Sequence, residues 1–190
     1  MVEITPFEVT PTEIDGLVLL TMKQVTDERG TVREFFRTSA FEAAGVGALG
    51  PWLQVNVTET KQGGLRGMHA EAMHKLVAVV AGEVFAAYVD LRAGSPTHGR
   101  VVTAVLTPGS QVLVPPGVGN GFQDTSPGGA QYLYCFDREW QPGMPGLACT
   151  PLDPALGIAW PLPVDPDDPS QVSTNDRDAP CLADLGGARL

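Results

Sequence analysis

The apolar runs of this chain are short, and that limits its fold more than any other feature. Gly and Pro interrupt them at a spacing of roughly 8–12 residues, as at Ala81-Gly82, Pro108-Gly109 and Pro115-Pro116-Gly117. LQVNVTET (53–60) alternates strictly, with Leu53, Val55 and Val57 on one face and Gln54, Asn56 and Thr58 on the other. QYLYCFD (131–137) sets Tyr132, Tyr134 and Phe136 on one face. GLVLLTMKQVTD (16–27) reads as one early strand, and KLVAVVAGEVFAAYVDLR (75–92) as a hairpin turning at Ala81-Gly82. SAFEAAGVG (39–47) is the one short helix, capped by Ser39 and ended by Gly45 or Gly47. With 22 Gly and 17 Pro in 190 residues, turns between short strands are favoured over long helices. The pattern predicts an all-β sandwich or barrel, one domain over residues 1–190, with the Pro-, Gly- and Asp-rich stretch past Glu139 wrapped around the sheets.

A formal charge of −10 argues against a nucleic-acid partner, because affinity for a polyanion comes mostly from Lys and Arg. A small anionic ligand stays open if a few arginines converge. Cys135, Cys149 and Cys181 form neither a CxxC pair nor a disulfide framework. MVEITPFEVTPTEID lacks the basic and apolar regions of a signal peptide, and no run approaches the roughly 20 apolar residues that span a bilayer. The expectation is a soluble, cytoplasmic protein with no membrane partner.

GLRGMHAEAMHK (64–75) gathers Arg66, His69, Glu71, His74 and Lys75 in a chain with only 3 histidines. His69 and Glu71 share a strand face, as metal ligands would, but His74 breaks that period. A metal would need a further ligand from a later strand, and PPGVGNGF offers Asn120, a poor partner for it, so no metal is expected. A solvated polar turn accounts for His74. By alternation Arg66 and Met68 lie opposite Leu65, Gly67 and His69. If the chain twists enough to bring Arg66 round, then Arg66, Lys75, Gln54 and Asn56 form one positive, hydrogen-bonding wall beside His69.

The order DERGTVREFF, QVNVTETKQGGLRGMH, KLVAVVAGEVFAAYVDLRAGSPTHG, VPPGVGNGF, QYLYCF, DPALGIAWP, STNDRDAP resembles the dTDP-4-dehydrorhamnose 3,5-epimerase family, whose members make nucleotide-linked deoxysugars. The resemblance runs from about Asp27 to Pro180. No single piece is diagnostic; the succession is. It implies a cupin-type jelly-roll β-barrel or sandwich with no metal or other cofactor, assembled as a homodimer, acting on a dTDP-linked 4-keto-6-deoxyhexose. His69 matches the family's general base, and Asp176, in the segment 161–190 that wraps the barrel, matches the aspartate paired with it. Tyr134 matches the acid on the opposite face, with Tyr132 as the alternative. Lys75 matches a lysine near the sugar carbonyl. Arg29, Glu34, Gln54, Asn56 and Arg66 match nucleotide-sugar contacts, Arg29 and Arg66 being the phosphate partners; which subunit's site Arg29 serves is left open. The chain departs from many members in its short spacing between His69 and Lys75, in Asn120 where they carry His, and in Trp140 where they often carry Tyr, which leaves the sugar open.

The chemistry explains those residue types. A 4-keto sugar has acidic hydrogens on C3 and C5, and inversion removes a proton from one face and returns one to the other. Imidazole titrates near neutrality and suits the base; a phenol can donate from across the ring. A carboxylate fixes the imidazole's tautomer, a cation stabilises the growing enolate, and a guanidinium fork suits phosphate. The expected activity is inversion at C3, C5 or both; a single-carbon epimerase and a non-catalytic nucleotide-sugar-binding cupin are the alternatives.

Overall fold

The structure is a computed structural model that describes residues 1–47 and 49–186; residues 187–190 of the expected wrapping segment lie outside the described residues. The first part of the chain forms β1 (Glu3–Thr5), β2 (Glu8–Pro11), β3 (Val18–Thr21), β4 (Lys23–Asp27), β5 (Gly30–Glu34) and the helix α1 (Thr38–Ala43). Then come β6 (Gln54–Thr60), β7 (Leu65–Glu71), β8 (Lys75–Ala81) and β9 (Val84–Asp90). They are followed by β10 (Val101–Leu106), β11 (Ser110–Val114), β12 (Val118–Asp124) and β13 (Ala130–Phe136). β14 (Gly146–Ala148) and the single-turn helix α2 (Thr174–Arg177) complete the regular elements used below. Among the described residues no helix is long and apolar enough to cross a membrane.

Two sheets carry the architecture: one of six strands in the order β2-β3-β11-β8-β13-β6, and one of five in the order β10-β9-β12-β7-β14. They face each other across a core in which Val77, Val79, Val112 and Tyr132 of the first meet Val84, Tyr88 and Phe122 of the second. Burying such side chains removes apolar surface from water at about 25 cal/mol per Å², the main force holding the layers together. The result is the jelly-roll sandwich of the cupin type. A third sheet, β1-β4-β5, shares no strand with either.

From β6 to β14 the chain changes sheet at every step except β9 to β10. The hairpin expected at Ala81-Gly82 is therefore a crossing: β8 lies in the six-stranded sheet and β9 in the five-stranded one. Both runs are apolar on the inner face, and crossing lets those faces meet across the core, where a hairpin would lay them side by side. Residues 16–27 likewise form two strands, not one. The chain breaks at Met22, which is buried and donates its N–H to Gly109 O at 2.8 Å, so that β3 joins the sandwich and β4 the small sheet. The helix begins two residues earlier than a Ser39 cap implies. Arg37 occupies the cap position without a side-chain cap bond; the helix is held by Phe41, packed on Phe7 at 5.0 Å and Phe36 at 4.8 Å.

Candidate active site

β7 is the strand on which the site is built. Asn120 of β12 pairs with His69, and Phe122 with Arg66, so two steps along β12 span three along β7. This bulge turns Arg66 to the same side as His69, which simple alternation forbids. Gly67 sits in the bulge at φ 111°, and a Cβ there would lie 2.5 Å from Gly121 Cα. No larger residue fits. Met68 points the other way, into an apolar cluster with Ala70 and Val89.

The side chains of β7 open onto a cavity of about 240 Å³ between the ends of the two sheets. Arg66, His69 and Glu71 form one wall; Lys75 of β8 and Tyr134 and Phe136 of β13 form another. Asn56 and Thr58 enter from β6, Asn120 from β12 and Trp140 from the segment after β13. Asp176 completes the lining from α2.

His69 Nε2 lies 2.7 Å from Asp176 Oδ1, across 107 positions of sequence. The tail reaches β7 because Leu65 bridges Val172 and donates its N–H to Gln171 O at 2.6 Å. Ser173 then caps α2, its Oγ accepting from Asp176 N at 3.1 Å. Gly67 N donates to Asp176 Oδ2 at 3.4 Å. The carboxylate is nearly buried, at 8% exposure, while the imidazole is 50% exposed to the cavity. A ring so held has one nitrogen fixed and the other free to work.

Lys75 is only 3% exposed. Its ammonium donates to His69 O at 2.9 Å and pairs with Glu71. Burial pushes its pKa down, and the Glu71 carboxylate opposes that shift. Tyr134 has its phenol pKa raised well above 10: burial is the main cause, the neighbouring Tyr132 adds to it, Arg66 opposes it, and the Glu71 and Asp176 carboxylates add further. At neutral pH it keeps its proton, as an acid must. Arg66 donates from Nε to Thr60 Oγ1 at 3.0 Å, which leaves the terminal fork of its guanidinium for a ligand.

Six of the nine residues singled out in the sequence line this cavity: Asn56, Arg66, His69, Lys75, Tyr134 and Asp176. Gln54, Glu34 and Arg29 do not. Gln54 Oε1 accepts from Trp140 N at 2.7 Å and its Nε2 donates to Asn56 Oδ1 at 3.2 Å, so it braces the rim. Glu34 pairs with Arg37, and Arg29, 90% exposed, pairs with Asp27. Tyr132 is fully buried behind the wall, stacked on Phe122 at 4.3 Å. His74 lies outside the cavity lining, its Nδ1 2.8 Å from Asp137 Oδ2. Glu71 enters the sequence argument only as a metal ligand. Its place two residues from His69 and four from Lys75 was the available sign of a charged pair in the wall.

The sequence matches the dTDP-4-dehydrorhamnose 3,5-epimerase family over residues 11–184. It is 33% identical over 180 residues to the dTDP-4-dehydrorhamnose 3,5-epimerase of Salmonella typhimurium, covering 92% of this chain and 94% of that protein. The structure resembles the Legionella pneumophila dTDP-6-deoxy-D-glucose-3,5-epimerase solved with dTDP-4-keto-L-rhamnose. The TM-score is 0.83 and the identity 33%, over 97% of this chain and 99% of that one. It also resembles a 3′-monoepimerase of Streptomyces bikiniensis solved with dTDP-quinovose, at a TM-score of 0.81 and 32% identity, over 91% and 87% of the two chains. A jelly roll with this cavity, matched over nearly its whole length in sequence and in structure, belongs to the dTDP-4-dehydrorhamnose 3,5-epimerase family of isomerases.

Proposed function

We propose that the chain inverts C3, C5 or both of a dTDP-linked 4-keto-6-deoxyhexose through an enolate, as a step of nucleotide-deoxysugar biosynthesis. The observation that carries this is the 2.7 Å contact of His69 with Asp176 on a cavity that Tyr134 also lines. His69 takes the proton from the carbon next to the ketone and becomes imidazolium beside the Asp176 carboxylate. Negative charge moves to the C4 oxygen, where Lys75 is the cation. Tyr134 returns a proton to the opposite face, and the two side chains recover their starting states by exchange with solvent. Arg66 holds the pyrophosphate through its terminal fork. Inversion of a single carbon is the second reading, supported by the likeness to the Streptomyces bikiniensis 3′-monoepimerase.

The active form is a homodimer of single-domain chains, in the cytoplasm, where the three free thiols stay reduced. Two apolar surfaces support a second copy as partner. Val55 and Val57 of the edge strand β6, and Leu53 just before it, are 54–58% exposed, and Ile4 and Val32 are 63% and 73% exposed on the small sheet. Arg29, which does not line its own cavity, then serves the partner's.

Incubation with dTDP-4-keto-6-deoxyglucose in deuterated water tests the reading. Deuterium at C3, C5 or both is expected; its absence would sink the assignment. Tyr134→Phe is expected to exchange protons while inverting little, since removal survives and opposite-face return fails. Normal inversion in that variant would take the acid role away from Tyr134.

A further inference from the structure

The proposed chemistry asks Lys75 to be an ammonium in a place that discourages one. It begins β8, is 3% exposed, and lies beside Val114 of β11 and Phe136 of β13. An ammonium has three N–H donors. One goes to His69 O at 2.9 Å and one to the Glu71 carboxylate. The third has no protein partner among the described residues, and Lys75 lines the cavity where the ketone would sit. On the other side of the pair, Glu71 Oε2 is shut off from solvent, with Lys75 as its partner.

We infer that Glu71 is a positioning residue of this site: its carboxylate holds Lys75 in the charged form and aims the lysine's uncommitted N–H into the cavity. The inference rests on the epimerase reading above and extends it to a residue outside the base, acid and phosphate clamp. The charged and titratable groups around Lys75 are few. β7 presents Arg66, His69 and Glu71; β13 presents Tyr134; α2 presents Asp176. The adjoining turn carries His74, engaged with Asp137, and β11 places only Val114 at this level. Glu71 alone among the described carboxylates stands within ion-pair distance of Lys75. Burial and Glu71 therefore act on the lysine in opposite directions. Removing the carboxylate leaves burial unopposed, so the ammonium persists at low pH and is lost on raising pH through a lower midpoint. The same carboxylate helps keep the Tyr134 phenol protonated.

The test is Glu71→Gln, which keeps shape and removes charge, beside Glu71→Asp, which keeps charge. The chain has three lysines, and Lys23 and Lys61 are exposed. In protein with ¹³C-labelled lysine, the Lys75 signal is assigned by its loss in Lys75→Arg, and its titration is read directly, without substrate. In Glu71→Gln the Lys75 midpoint should fall by about 1 to 3 pH units. Inversion of the 4-keto sugar, as a ratio to wild type, should fall as pH rises through that lowered midpoint and recover below it. Glu71→Asp, which keeps the charge on a shorter side chain, should recover part of the high-pH activity that Glu71→Gln loses. An unchanged midpoint, or a loss of activity that is the same at every pH, overturns the inference and leaves Glu71 a structural residue. Wild-type protein that fails to exchange protons sinks the epimerase reading instead, and the lysine titration still reports on the pair.

Discussion

Among the described residues two histidine–aspartate pairs have almost equal length, 2.7 Å for His69–Asp176 and 2.8 Å for His74–Asp137. They sit five residues apart on the same stretch of chain and do different things. The first uses Nε2 and one carboxylate oxygen, and its ring is half exposed to a cavity that also holds Arg66, Lys75 and Tyr134. The second is a clasp. His74 N and Nδ1 both meet the Asp137 carboxylate, at 3.0 and 2.8 Å, and Asp137 N donates to His74 O at 3.3 Å. Those contacts tie the start of β8 to the end of β13. A carboxylate steers a ring in both places, and only the surroundings make one of them a base.

Removing each ring in turn should separate the pairs by the widest margin. His69→Ala is expected to abolish deuterium incorporation from solvent, a loss of at least about a thousandfold. His74→Ala, assayed in the same way, should stay within about threefold of wild type. If His69→Ala retained exchange, the base would lie elsewhere and the contrast would collapse.

Changing the carboxylates gives a smaller but sharper effect. Asp176→Asn keeps the shape at the end of the tail but offers the imidazole an amide, so the tautomer is no longer fixed and the imidazolium is no longer compensated. Inversion should fall by about 10²- to 10⁴-fold with the ring still present. Asp137→Asn should change inversion little. Equal losses from the two asparagines would mean that both pairs act on the reaction.

The sequence discloses these two pairs unequally, for physical reasons. Alternation in β6 and β13 is a local property, so the residues that share a face with Asn56 and with Tyr134 could be read directly, although the apolar face of β6 turned out to be the exposed one. The partnership of His69 with Asp176 spans 107 positions. It depends on the Leu65–Val172 bridge and the Ser173 cap, and no periodicity reports such contacts; the family resemblance supplied it. Arg66 reaches the cavity through a bulge opposite Asn120 and Phe122, and a bulge has no two-residue signature. The crossing at Ala81-Gly82 reads like a hairpin because the turn chemistry is alike in both; what differs is the layer that β9 joins. His74 looked like a polar turn residue, and its clasp with Asp137 depends on β8 and β13 being neighbours in the folded sheet. Gln54 faced the expected way, yet it braces Trp140.

The smallest effect is on stability, and it should run opposite to the effect on rate. The His74–Asp137 clasp is partly exposed, at 38% and 23% for its two side chains, so its hydrogen bonds contribute on the order of 1 kcal/mol, not several. At this chain length each kcal/mol lost lowers Tm by about 2–4 °C. His74→Ala should therefore melt a few degrees below wild type while keeping its activity, and Asp137→Ala should melt at a similar temperature, because the two side chains stabilise the fold through each other. In a double-mutant cycle the second change should add little to the first. Full additivity would show that the clasp carries no energy of its own, and the two pairs would then differ in chemistry alone.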